Sequence, residues 1–394
     1  MSGMLIVQLK SLEKSGGASL VRERVGLIER LEVEARTPED KIRIAILAGE
    51  TLGPNEAQTR LSSIAANTQE ADAVEDIRKL QAIYSVGAET LLPEERESLI
   101  RRHGYVGRVA LAYGIPADQE PRKSLEMEAF WFTLRLSVLG GVLVALMILS
   151  VAAFVAGLVW FLKGKIRRGY EPEASAGSAY LEGFAVYLVL FLALGLLLRY
   201  FGPRSLQWTW IALVILPMVW MWLAFRGTTA EQRRQALGWH RGEGVLRELG
   251  AGVAGYIAGL VVIAVGVLVT VILVQVTGIR AASPVVQELT GGPWRLFGLY
   301  LLACVFAPIT EETMFRGVLF HHMRRRWNWA FSAVIVSSIF ALLHPQGWVA
   351  APALGAIAMV LAALREWRGS LIAPMAAHAC SNFIVLTMAL LLIK

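Results

Sequence analysis

From Leu136 to Leu162 the chain carries no charged residue, and the run ends in the basic stretch KGKIRR at 163–168. A bilayer core is crossed by a helix of about 20 apolar residues, so this run is long enough to span. Further uncharged runs follow at 183–198, 205–225 and 249–279. After Arg295 a run from Leu296 to Thr310 leads directly into two glutamates, and runs at 327–343, 347–364 and 369–393 complete the series. Extending the fifth helix through the glutamates to about Met323 gives about eight transmembrane helices. They must be helices, because lipid offers backbone groups no hydrogen-bond partners.

Residues 1–128 are patterned differently. Short stretches with an apolar stripe at helical period are separated by Gly and Pro. In RTPEDKIRIAILAGETLG, Thr37 is placed to cap a helix, Pro38 fits its first position and Asp40 completes a box-like cap. Gly53 and Pro54 stop that helix, and NTQEADAVEDIRKLQAIYS and LPEERESLIRRHG repeat the pattern. The fold class expected is all-α: a polytopic membrane helical bundle with an N-terminal soluble helical domain at 1–128. That domain reads either as an ordinary helical bundle or as an array of helical hairpins, since no repeat period is legible. Residues 129–204 would add transmembrane helices ahead of a core at 205–394.

Composition agrees with this division. The chain of 394 residues is 56% hydrophobic with a mean hydropathy of +0.54, too apolar for an ordinary soluble protein of its length. Residues 1–128 hold 17 Lys+Arg and 21 Asp+Glu, a net of −4, while the rest carries +11 and no aspartate. The positive charges cluster between apolar runs, as on the cytoplasmic loops of a membrane protein, and not in the stripe that a nucleic-acid partner requires. Cys304 and Cys380 both lie in apolar runs and indicate neither a disulfide framework nor a cysteine metal site. The apolar patch near the N-terminus is too short for a signal-peptide core.

The chemistry lies where charge interrupts the apolar runs. In APITEETMFRGVLF at 307–320, Glu311, Glu312 and Arg316 put three charges into a spanning segment. Each costs at least about 2.5–3.5 kcal/mol at the bilayer centre, so such residues usually face a cavity and act there. Glu311 lies roughly 24 Å along the helix from Arg295 and roughly 20 Å before Arg324, near mid-helix. Glu312 and Arg316 are four residues apart and can pair. Glu311 points elsewhere and has no partner at helical spacing, which suits a general base in a dry surrounding. His344 follows Phe340 by one turn in a second apolar run, and His378 and Asn382 share a helix face in a third. A buried ion-pair cluster would account for the glutamates and arginine alone. Two histidines and an asparagine from two further helices at overlapping depth read instead as one polar site. His321 and His322, beside Arg324–Arg326, read as a solvated or headgroup-level cluster, and His103 and His240 in polar segments carry no signal.

Glu-Glu-x-x-x-Arg at 311–316, Phe-x-x-x-His at 340–344 and His-x-x-x-Asn at 378–382, in that order on successive helices, resemble a known family. It is the intramembrane endopeptidases of the type II CAAX prenyl protease and bacteriocin-processing (CPBP, abortive-infection-like) group. APITEETMFRGVLF is similar to its wider consensus, and LGW at 237–239 to its upstream element. The resemblance covers roughly 205–394 and implies an intramembrane protease core there, while nothing carries over to 1–128. It implies that Glu311 works with His344 to orient and deprotonate a water. His378 and Asn382 would donate to the developing oxyanion, Arg316 would hold Glu312 ionised, and no cofactor would be needed. The rival site chemistry is zinc on Glu311, His344 and His378, although no His-Glu-x-x-His motif is present. Outside proteolysis, a membrane scaffold or transporter using the same groups stays open, with no inverted repeat to favour transport. The implied partners are membrane lipid and a peptide or prenylated protein substrate, with a protein partner conceivable for the N-terminal domain.

The loops also set an expected orientation, as an integral protein of the cell membrane. With eight spans, the loops 163–180, 226–248, 324–326 and 365–368 share one side and carry 14 Lys+Arg, against 5 opposite. The positive-inside rule then puts both termini outside, which would export the acidic domain without a signal. A cytoplasmic N-terminal domain, with the short run 183–198 re-entrant and not spanning, is the expected resolution.

Overall fold

The computed structural model describes residues 18–166, 169–172, 177–201, 217–279, 289 and 292–393, and among them every regular element is helical. The chain divides into two compact units, one ending at Leu143 and one running from Val144.

The first unit consists of α1 (Ala18–Glu34), α2 (Pro38–Leu52), α3 (Pro54–Asn67), α4 (Ala71–Ser85), α5 (Pro93–His103), α6 (Tyr105–Leu111) and the start of α7 (Arg122–Leu162). Thr37 Oγ1 accepts from Asp40 N at 3.1 Å and Pro38 opens α2, the cap expected from the sequence. Gly53 closes α2 and opens α3. Consecutive helices pack on one another around Ile42, Ile46, Leu61, Ile77, Leu80 and Leu99, all buried. Several polar side chains inside this core are engaged with one another. Lys79 is buried against Glu75 and Ser98 Oγ. His103, which carries no signal in the sequence, is buried with Nε2 3.0 Å from Asp76 Oδ2.

The second unit contains the rest of α7, α8 (Ala179–Phe201), a helical stretch at 217–225, and α9 (Ala230–Leu237). After these come α10 (Val245–Thr277), α11 (Pro293–Arg324), α12 (Trp329–Leu343), α13 (Ala351–Arg368) and α14 (Ile372–Ile393). Among the described residues, five helices are long and apolar enough to cross a membrane: α7, α10, α11, α13 with its leading turn from Trp348, and α14 as far as Leu391. Two shorter apolar helices lie at Ala179–Ala193 and Trp329–Leu343. Most of the expected span at 205–225 lies outside the described residues. The bundle is polytopic and all-α, and it includes the expected uninterrupted helix through Glu311 and Glu312.

Close approach of backbones builds the inner bundle, as expected where lipid supplies no hydrophobic drive between helices. α10 packs along α13 and α14. A Cβ on Gly266 would lie 2.5 Å from Pro352 O, so the contact to α13 requires glycine there. The stretch 365–368, expected as a basic loop, is the last turn of α13. Gly369 in the left-handed region ends the helix one residue later, its N–H returning to Arg365 O at 2.9 Å. Arg365 is consequently buried inside the bundle.

Candidate active site

The site is built on α11, whose backbone is not a uniform α-helix. It opens into π turns at Leu302–Phe306 and Thr313–Leu319, with an α segment at Ala307–Glu312 between them. Such turns are rare and concentrate at functional sites. The sequence supplies causes. Pro308 brings no N–H and crowds the preceding turn. Thr310 Oγ1 donates to Phe306 O at 2.9 Å and Thr313 Oγ1 to Ile309 O at 2.6 Å, back-bonds of the kind that bend helices. In the first π turn Ala307 N–H goes to Leu302 O, and the next residue is Pro308, which has nothing to donate. Ala303 O is left without the amide that either ladder would bring. Asn382 Nδ2 on α14 fills that place, donating at 2.7 Å.

The segment between the π turns presents the two glutamates to different surroundings. Glu312 is fully buried, and its Oε1 accepts from Arg316 Nη1 at 3.0 Å and from His378 Nδ1 at 2.8 Å. Arg316, also fully buried, donates through Nη2 to Ala358 O at 3.0 Å and lies 4.8 Å over the Phe340 ring. Glu311 is partly exposed. Its Oε2 has no hydrogen-bond partner and lies 3.8 Å from His378 Nε2 and 3.9 Å from His344 Nε2.

The tautomers of both rings follow from their other nitrogens. His344 caps the end of α12, and its Nδ1 lies 2.7 Å from Phe340 O. A carbonyl only accepts, so Nδ1 carries a proton, and Nε2 is the nitrogen turned toward Glu311. The ring packs on Phe340 at 4.2 Å, which gives Phe340 of the Phe-x-x-x-His spacing a physical role. His378 Nδ1 meets a carboxylate and is protonated for the same reason, so its Nε2 is the atom free to exchange a proton.

Five of the six residues singled out in the sequence, Glu311, Glu312, Arg316, His344 and His378, thus form one linked cluster from α11, α12 and α14. Asn382, one turn beyond His378, holds the backbone of α11. His321 and His322 do not sit at a solvated surface, because α11 continues past them into the packed unit. Both are buried, with His321 Nδ1 2.6 Å from the Tyr170 hydroxyl and His322 Nε2 accepting from Arg326 Nη1 at 3.0 Å. Burial raises the Tyr170 hydroxyl to about 12, so it stays neutral. Sequence reasoning missed Arg365, which donates to Arg316 O at 3.3 Å and Ala236 O at 2.8 Å. Its position between the uncharged runs 347–364 and 369–393 makes it read as a loop charge. The LGW element packs on the same helix: Trp239 Nε1 donates to Thr313 Oγ1 at 3.1 Å.

No group of three His, Cys, Asp or Glu side chains among the described residues is placed to hold a metal ion.

Residues 293–384 match the family model described as type II CAAX prenyl endopeptidase Rce1-like. The match begins with α11 and contains all six residues above, while LGW at 237–239 lies outside it. It is narrower than the 205–394 expected from the motifs. No curated protein and no solved structure matches the chain.

Proposed function

We propose, with the Rce1-like type II CAAX prenyl endopeptidase domain at residues 293–384 as the premise, that this integral membrane protein is an intramembrane endopeptidase. Its reading is hydrolysis of peptide bonds in membrane-associated or prenylated, CAAX-like substrates by a water that Glu311 and His344 activate. The observation that carries this is the convergence of Glu311 Oε2, without a partner of its own, on two imidazole Nε2 atoms at 3.8 and 3.9 Å. A gap of that width between polar atoms is one that a water bridges.

A water placed there donates one hydrogen bond to Glu311 and the other to the lone pair of a neutral His344 ring, leaving its oxygen aimed outward. Attack on the scissile carbonyl forms the C–O bond, and the water proton moves to the Glu311 carboxylate. As the C–N bond breaks, that proton passes from Glu311 to the leaving amine. Glu312 and Arg316 do not touch the reacting atoms in this scheme. They fix the His378 ring, whose Nε2 donates to the oxyanion when the ring is protonated. Asn382 keeps one Nδ2 proton on Ala303 O, and the second is available to the same oxygen. Such donors contribute about 2.7–4 kcal/mol each in known cases.

The deciding experiment follows cleavage of quenched-fluorescence peptides, prenylated and unprenylated, by purified protein, with and without chelator. Turnover that survives prolonged chelation and vanishes in Glu311→Gln and His344→Ala supports the reading. Chelator-sensitive activity restored by zinc would replace it with a zinc protease on the same residues. A folded protein that cleaves nothing would favour a scaffold or transporter.

A further inference from the structure

Both π turns of α11 divert a backbone amide, and in both a side chain from another helix meets the carbonyl concerned. At the first, Asn382 reaches Ala303 O, as above. At the second, Phe320 N–H goes to Phe315 O, so the amide that an α ladder would bring to Arg316 O is engaged elsewhere. Arg365 Nε, on α13, donates to Arg316 O at 3.3 Å instead. From this we infer that Arg365 is a positioning residue for the proposed protease site. Its bond to Arg316 O holds the second π turn in the register that lays Arg316 on Glu312, and Glu312 on His378 Nδ1.

The surroundings of Arg365 are built for directional bonding. The side chain is fully buried, and two of its nitrogens donate to backbone carbonyls, Nε to Arg316 O and Nη2 to Ala236 O. Its guanidinium lies 4.4 Å over the Tyr170 ring. A planar fork can serve two carbonyls and stack on a ring at once, which a lysine ammonium cannot. Filling the same space with an apolar chain would avoid the desolvation of a buried cation, so packing alone does not account for arginine. The neighbouring chain makes room for it: Gly238, at φ 74°, is where a Cβ would run into Arg365 Nη1. Glycine of the LGW element is therefore required by Arg365 as well as by its own left-handed backbone.

The inference rests on the protease reading for its catalytic consequence, but its geometry can be read without turnover. Histidine-selective 15N labelling in micelles, with His378 assigned by His378→Gln, reports which ring nitrogen carries the proton. In the wild type the His378 signal should be that of a ring protonated at Nδ1. Arg365→Gln should move that signal toward a mixed tautomer and, where cleavage is measurable, lower kcat about tenfold or more with KM within about twofold. Arg365→Lys should recover part of both. An Arg365→Gln protein that is folded and keeps the wild-type His378 signal and kcat would overturn the proposal. If Arg365→Gln does not fold, Gly238→Ala pushes the guanidinium aside with Arg365 retained. A wild-type ring signal and kcat there would overturn it equally. A chain that cleaves no peptide yet shows the His378 shift would refute the protease reading and leave Arg365 as the positioning residue of this cluster.

Discussion

The same substitution in two adjacent residues should have very unequal consequences for stability. Glu312→Gln removes the charge between Arg316 and His378, which contact Oε1 at 3.0 and 2.8 Å with both carboxylate and guanidinium fully buried. Breaking a buried ion pair from one side costs about 3–5 kcal/mol, because the remaining charge is left uncompensated. The amide keeps one acceptor oxygen, and Arg316 keeps Ala358 O and the Phe340 ring, so the lower end, about 3 kcal/mol, applies. At about 2–4 °C per kcal/mol the midpoint should fall by about 6–12 °C. Glu311→Gln breaks no hydrogen bond at Oε2 and should stay within about 0.5 kcal/mol, or about 2 °C. Thermal unfolding in detergent reads both, by circular dichroism and by the reaction of Cys304 and Cys380, free and half-buried, with a fluorogenic thiol reagent. Equal midpoints for the two variants, or a larger fall for Glu311→Gln, would refute the division of roles between the carboxylates.

Two further outcomes can be measured on the whole chain. Pro308→Ala returns an amide within reach of Ala303 O, competes with Asn382 and should let the first π turn relax; turnover should fall at least about tenfold while the thermal midpoint holds or rises, and wild-type turnover would contradict the π register. For orientation we propose a cytoplasmic N-terminal domain: with Cys304 and Cys380 replaced, a cysteine at Arg60 should react with an impermeant thiol reagent only after lysis, and labelling of intact cells would place the domain outside.

The parts of this molecule that were legible in the sequence are those fixed by short-range rules. Thr37 and Pro38 announce α2 because capping is local, and the uncharged run ending at Leu162 marks α7 because bilayer thickness sets the length of a span. Glu311, Glu312, His344 and His378 stood out because a charge or an imidazole in an apolar run needs a reason, and their spacing carried the rest. His321 and His322 failed the same reasoning. Their basic neighbours signalled the end of a span, but α11 remains packed through Arg324, and Tyr170 from a distant loop covers His321. Arg365 was hidden for a related reason, since only the left-handed Gly369 shows that the helix runs through it.

Neither π turn could be read from periodicity, because one extra residue per turn leaves the apolar pattern on both sides intact. Yet the register depends on them. An inserted residue rotates everything beyond it by about 100° relative to a continuous α-helix. The separation of Glu311, facing His344 and His378 Nε2, from Glu312, facing Arg316 and His378 Nδ1, is made between two such insertions. The signals that could have pointed to them are polar and scattered: a proline at 308, threonines at 310 and 313 with i−4 partners, and an asparagine and an arginine on other helices. Each has an ordinary explanation alone. They become one device only when Ala303 O and Arg316 O are seen to be met from α14 and α13, respectively. The charges of α11 are thus held within the helical bundle by backbone irregularity as much as by ion pairing, since the π turns set which way each carboxylate faces.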